Sequence, residues 1–312
     1  MLLLCSHGAL SKDIDASLRR SLQLARTEAA TIGESLWPGY SAVPFDFLLT
    51  LEDREVLFCR PQQVDGFTAL GIDPITGCDM QERASQVPKH MLAAMYAAGA
   101  GWTIVMGTPE STGRSHADWA RTIHHEHFHQ YQNNFDRYFE RLNALGLAGD
   151  DTTGMWMLEY PFPYRDPAFN RAFAKARLAL QRAVTGSGKG LARQVARYLS
   201  VRTALEASVP AKDWRYLELE LWYEGVARWT DIELAERSTD AALRQSGTQE
   251  RTHVMSSLAS LDPRVKQREI VYAYGAAEAM LLQRCVPDWR AGYADVMALG
   301  ALVKTIQPGQ CQ

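Results

Sequence analysis

One stretch constrains this chain more than any other: Ile123-His124-His125-Glu126-His127-Phe128-His129-Gln130-Tyr131-Gln132. It holds a His-Glu-x-x-His pattern at His125, Glu126 and His129. On a helix, positions four apart share a face, so the two imidazoles can close on one ion while Glu126 is turned roughly 100° away. Two neutral histidines and a third protein ligand leave one tetrahedral position open to water, and the ion lowers that water's pKa from 15.7 to about 7. Glu126 is then placed to take the proton. His124 and His127 face away from the pair and read as supporting or surface residues.

The flanking pattern predicts a helix. Ser115-His116-Ala117-Asp118 has the spacing of a capping box. Apolar residues then recur at mostly three- and four-residue steps from Trp119 through Ile123, Phe128, Tyr131, Phe135 and Leu142 to Leu145. The expected element is one helix of about eight turns from Ser115 to a stop at Gly146.

With 312 residues and 46% hydrophobic content the chain is ordinary for a globular protein and can bury a substantial core. A net charge of −3 and Lys and Arg that read as scattered along the chain argue against a nucleic-acid partner. No apolar run approaches the roughly 18 residues needed to cross a bilayer. Met1-Leu2-Leu3-Leu4-Cys5 is either a plain N-terminus or the remnant of a signal peptide. The compartment therefore stays open: cytoplasmic as read, extracytoplasmic if those residues are a remnant. Five cysteines, odd in number and widely spaced, argue against both a disulfide scaffold and a cysteine zinc site.

Along the chain, Ser11 to about Thr31 predicts an amphipathic helix ended by Gly33, with Ile14, Leu18, Leu22 and Leu24 buried. Pro44–Thr50 and Glu55–Cys59 predict a hairpin. An irregular stretch follows around Asp65-Gly66, Gly71 and Asp73-Pro74. Pro88–Ala98 reads as a small-residue helix, and Trp102–Met106 as a strand beside the histidine helix. That strand is either internal or an edge able to take an extended peptide. Tyr160-Pro161-Phe162-Pro163-Tyr164 is rigid and extended, a cleft wall or an aromatic strap clamped on the surface. Helices follow from Asp166-Pro167 to Val184 and from Leu191 to Ala207. The remainder reads as helical with turns near Pro210, Gly247 and Pro287.

The best third ligand is Glu224, within Leu221-Trp222-Tyr223-Glu224-Gly225-Val226-Ala227-Arg228-Trp229. Trp222, Val226 and Trp229 form an apolar stripe, and Glu220, Glu224, Ala227 and Asp231 a neighbouring one. Carboxylates beside two tryptophans are costly to bury without a cation. Gly225 and Ala227 lower the bulk around Glu224. The same stripe also reads as an exposed acidic face paired with Arg228 or another base.

Together, His125, Glu126, His129 and Glu224-Gly225-Val226-Ala227-Arg228-Trp229 resemble a gluzincin-type zinc metallopeptidase of the thermolysin-like superfamily, in its compact families. The resemblance runs from about Ser115 to Gly275. It implies one zinc per chain held by His125, His129 and Glu224, with Glu126 as general base and a peptide or protein as substrate. Val271-Tyr272-Ala273-Tyr274-Gly275 is similar to the Tyr-x-x-Gly segment of the aminopeptidase branch, which implies that the Tyr272 hydroxyl stabilises the oxyanion. Tyr274 lies about 200° further round a helix, so at most one of the two can serve. There are departures. Where thermolysin has an aspartate four residues after its glutamate ligand, this chain has Arg228, leaving Asp231 to substitute. The motif that reads a free substrate amine is absent, so aminopeptidase activity is not supported.

The expectation is a single zincin-like domain of α+β class, predominantly helical. A small antiparallel sheet packs on the active-site helix, with a β-containing part at about 40–146 and a helical part at about 166–312. A catalytically retired protein that binds metal or a protein partner without turnover, or a zinc hydrolase of non-peptide bonds, on the same fold stands as the alternative.

Overall fold

A computed structural model describes residues 14–97, 99 and 101–312. Met1–Cys5, the expected helix start at Ser11 and Ala98 lie outside the described residues. The class is α+β, with the sheet in the N-terminal half and a helical C-terminal half. The chain divides into two compact units, residues 1–134 with 231–248, and residues 135–230 with 249–312. Residues 231–248 thus belong with the N-terminal unit.

In the first unit, strands β1 (Phe47–Thr50), β2 (Arg54–Phe58), β3 (Thr68–Ile72), β4 (Asp79–Ala84), β5 (Leu92–Tyr96) and β6 (Trp102–Gly107) form one sheet in the order β3-β4-β2-β1-β6-β5. The expected hairpin is β1–β2, in register Phe47↔Phe58 to Thr50↔Glu55. β1 and β6 run parallel, so the sheet is mixed rather than antiparallel. Within the span predicted as a helix, residues 88–97 do not form one. Their alanines favour one, but pairing of Leu92–Tyr96 with Met106–Trp102 satisfies the backbone as a strand, and tertiary pairing outweighs a weak local propensity. β5 takes the sheet edge and makes β6 internal. β3 and β4 occupy much of the stretch expected to be irregular.

Alternate residues of the central strands point to opposite faces. Phe47, Leu49, Val56, Phe58, Ile104 and Met106 pack with Leu18, Leu22, Trp119 and Ile123. Leu48, Leu57 and Val105 pack with Val64 and Phe67 on the other face.

The histidine helix is His116–Asn133, and Ser115 caps it by accepting from the Asp118 N–H at 3.1 Å. Two side chains pin it along β6. The Trp119 indole donates to the Gly107 carbonyl at 2.7 Å, and the Gln130 amide donates to the Trp102 carbonyl at 2.9 Å. Eleven helical steps and five strand steps both span about 16 Å, so the helix lies antiparallel along the whole of β6. It ends earlier than expected. The Asn134 side-chain amide takes the Gln130 carbonyl at 2.8 Å, Arg137 is left-handed at φ 53°, and a separate helix, Tyr138–Ala144, follows.

Two further glycines act differently from the sequence reading. The first helix, Ala16–Glu28, continues through a π turn at Ala29–Gly33 to Leu36. Gly33 does not stop it: a Cβ there would stand 2.3 Å from the Tyr40 ring, so the glycine admits that ring. Gly247 lies inside the helix Ala241–Ser257, where a Cβ would meet the Ala235 Cβ at 2.8 Å. It serves a helix crossing, not a turn.

The second unit is built from helices. The Tyr160–Tyr164 segment is clamped on them, with Tyr160 stacked on Tyr216 at 4.1 Å and Phe162 edge-on to Phe169 at 5.0 Å, the surface-strap outcome. Asp166 caps Pro167–Thr185, and Leu191–Glu206 follows. Ala211–Glu220 runs on through a π turn, Leu221–Gly225, into Val226–Glu236, and Ile270–Cys285 is the other long C-terminal helix. No helix among the described residues is long and apolar enough to cross a membrane.

The cysteines overturn the expectation drawn from their spacing. Cys59 bonds Cys78, and Cys285 bonds Cys311, pairs 19 and 26 residues apart. Closing loops of that length stabilises by about 3 kcal/mol each in the chain-entropy model. Cys285→Ser with Cys311→Ser is therefore expected to lower the melting temperature by several degrees in non-reducing buffer, read by circular dichroism. Equal melting of variant and wild type would count against the bond's role.

Candidate metal centre

The histidine helix is enclosed on every side. Residues 119–130 are all buried, so no histidine of the run is a surface residue. His124 is fully buried with Nε2 3.4 Å from a Glu28 carboxylate oxygen, whose other oxygen accepts from Ser238. His127 lies edge-on to Tyr40 at 4.8 Å, its Nδ1 2.6 Å from the Gln130 amide oxygen. Burial pushes its imidazole down to about 4, which keeps it neutral. Both are buried, so neither takes the surface position that is one of the two expectations for them.

His125 and His129 are arranged differently. His125 Nδ1 is 3.2 Å from Asp231 Oδ2, and His129 Nδ1 is 2.7 Å from the Gln132 amide oxygen. Each oxygen accepts, so each Nδ1 carries the proton and each Nε2 presents a lone pair. The two Nε2 atoms lie 3.2 Å apart with the rings nearly perpendicular, at 88°. Two lone pairs at that distance repel unless a cation meets both. Two nitrogen ligands at 2.0–2.1 Å from a tetrahedral zinc ion stand about 3.4 Å apart, close to the observed separation. The donor set fits zinc.

Asp231 is itself held, its other oxygen accepting from Arg121 Nη1 at 2.8 Å. It does for His125 what a partner carboxylate does for a metal-binding histidine, fixing tautomer and ring orientation. Glu126 is 7% exposed and forms no hydrogen bond or ion pair among the described residues. A carboxylate so placed keeps its acceptor capacity for another group.

Glu224 sits in the π turn Leu221–Gly225. Such one-turn widenings shift the phase of the residues beyond them and recur at functional sites. Glu224 is 7% exposed and its carboxylate accepts from Arg268 Nη2 at 2.7 Å, so at this position the acidic stripe is buried and a base meets it. The same guanidinium group lies 2.7 Å from Glu220. Burial pushes the Glu220 carboxyl up to about 8, with Arg268 opposing and Glu224 adding to the rise. Burial works against the charge on Arg268, but Glu220 and Glu224 together hold its pKa above the ordinary value. His125 and His129 lie in the first unit and Glu224 in the second, and all three are buried.

Tyr272 is half-buried, with its hydroxyl 3.4 Å from Arg268 Nη1 and the Arg228 guanidinium 5.5 Å from its ring centre. One arginine thus joins Tyr272 to Glu224. Tyr274 is turned into a buried network, its hydroxyl 3.3 Å from Tyr198 beside Glu278 and Arg202.

Sequence reasoning missed Gln132 and Arg268. Gln132 had a signal, since it follows His129 by three and so lies beside it on the helix. Arg268 had none, being 44 residues from Glu224. Comparison with protein-family models, with curated proteins and with solved structures finds no match to this chain, so what it does rests on the geometry of these residues.

Proposed function

We propose that this protein is a zinc-dependent peptidase of gluzincin type, with His125, His129 and Glu224 as metal ligands. The observation that carries the reading is the histidine pair: two buried Nε2 lone pairs 3.2 Å apart, each fixed by a hydrogen bond at Nδ1. Two imidazoles and a carboxylate are the donor set of catalytic zinc sites that keep one position open. Bound there, zinc supplies a Lewis acid and brings the pKa of water near neutrality.

The chain's own residues do the rest. Glu126, which has no ion-pair partner among the described residues, takes the proton from the attacking water and returns it to the leaving amine. Asp231 and Gln132 keep the two imidazoles neutral at Nε2 and aimed. Tyr272 donates its hydroxyl hydrogen bond to the developing oxyanion. Support for a peptide substrate comes from β5, a sheet edge where an extended chain can add main-chain hydrogen bonds. The two disulfides fit an oxidising compartment.

Elemental analysis of the purified protein tests the ligand set. About one zinc per chain is expected, lost in His125→Ala, His129→Ala and Glu224→Ala and kept in His253→Ala, an exposed residue. Asp231→Asn should weaken zinc binding on the order of 10–100-fold. Full zinc in the Glu224→Ala protein would reject the third ligand.

A further inference from the structure

Lys and Arg are not evenly scattered. From Pro167 to Leu205 the chain has eight Lys or Arg and no Asp or Glu. At this protein's acidic content a stretch of that length would hold about four acids, so the segment stands apart from a chain whose net charge is −3. It folds as the helices Pro167–Thr185 and Leu191–Glu206, joined by a glycine-rich turn. Between them runs a groove of about 530 Å³. Lys175 and Arg182 stand on one rim, Arg193 and Arg197 on the other, and Leu178, Ala179 and Gln194 complete the lining. All four cations are exposed, and none has a carboxylate partner among the described residues.

We infer that this groove is a docking site for an acidic helical peptide segment that carries apolar anchors. Charge complementarity selects the sign: four unneutralised cations on two facing rims call for carboxylates on both sides of the occupant. The apolar floor selects the kind of anion. Ala179 is buried and Leu178 only partly exposed, so the floor is recessed below the rims, where a flat bilayer surface does not reach it. A nucleic-acid backbone offers phosphates to the rims but no aliphatic group to the floor. A third helix laid in the groove places leucine-like side chains on Leu178 and Ala179 and flanking Asp or Glu against the cations. From Lys175 to Arg182 is about 10 Å, so the cationic frame matches two turns of such a helix. This inference rests on the groove alone and is independent of the metal centre.

Fluorescence anisotropy on the full chain tests it, with a short fluorescein-labelled peptide of Asp and Glu carrying leucine at every third or fourth position. Saturable binding is expected, weakening steeply with salt. Arg193→Glu with Arg197→Glu, and separately Lys175→Glu with Arg182→Glu, should each weaken it at least about tenfold while leaving the far-ultraviolet circular dichroism unchanged, since all four side chains are exposed. Two variants on different helices keep the test decisive if one folds poorly. No binding, or binding unchanged in both variants, overturns the proposal. Equal binding of the peptide with serine in place of leucine removes the role of the floor and overturns it too. Tighter binding of a DNA duplex or of phosphatidylserine vesicles through the same four residues reassigns the groove to that partner.

Discussion

Glu126→Gln is expected to keep zinc content and melting temperature at wild-type values while lowering hydrolysis of any cleaved peptide by about 10²–10⁴-fold, the range for losing a general base. The amide matches the carboxylate in shape but cannot accept water's proton. Because Glu126 makes no hydrogen bond or ion pair among the described residues, the substitution breaks nothing that holds the fold. A change in activity then reports chemistry and not stability. Tyr272→Phe belongs to the same experiment, with a fall in kcat of about 10²-fold for one lost oxyanion donor and little change for Tyr274→Phe. Equal turnover by Glu126→Gln would exclude the mechanism. Zinc-loaded wild type that cleaves no member of a broad peptide library would favour the retired or non-peptide alternative.

A large loss of stability is also expected at Gly225 and Gly275. A Cβ built on Gly225 stands 2.5 Å from the Gly275 Cα and 2.8 Å from its carbonyl carbon. A Cβ on Gly275 stands 2.7 Å from the Gly225 Cα and 2.8 Å from the Leu221 carbonyl oxygen. Both obstacles are backbone, which has no rotamer to yield, so the helices have to move apart. Alanine gains about 1 kcal/mol over glycine in a helix interior. Overpacking a tight contact costs about 1–3 kcal/mol and at times more. Backbone against backbone lies at the upper end, so the clash wins. Gly225→Ala and Gly275→Ala should each lower the melting temperature by roughly 5 °C. They should also loosen zinc binding, since Glu224 adjoins the crossing. Gly190→Ala, where a Cβ meets nothing within 4 Å, should melt at or above wild type. Thermal melts followed by circular dichroism decide it, and Gly225→Ala melting like wild type would mean that the crossing is not as close as 2.5 Å.

Several features are legible in the sequence alone because they depend on residues close in the chain. The cap at Ser115, the four-residue step from His125 to His129 and the hairpin β1–β2 all follow from short-range periodicity and capping chemistry. So does the cap at Asp166. Small residues at Gly225 and Ala227 announce a close approach without naming its partner, since sequence shows that bulk is missing and not what fills the space.

What the tertiary structure alone decided was partnership between distant residues. Leu92–Tyr96 became a strand because β6 was there to pair it. Asp231, which the sequence offered as the substitute for a missing aspartate, meets His125 only because the packing of its helix brings it there. Arg268 reached Glu224 across 44 residues, and four cysteines whose spacing suggested no scaffold were paired once the fold set their Cα atoms 4.4 and 4.0 Å apart. Local pattern determines which side chains share a helix face; which groups meet across the fold is set by the packing of whole elements, whose energy is spread over many contacts that no short stretch of sequence contains.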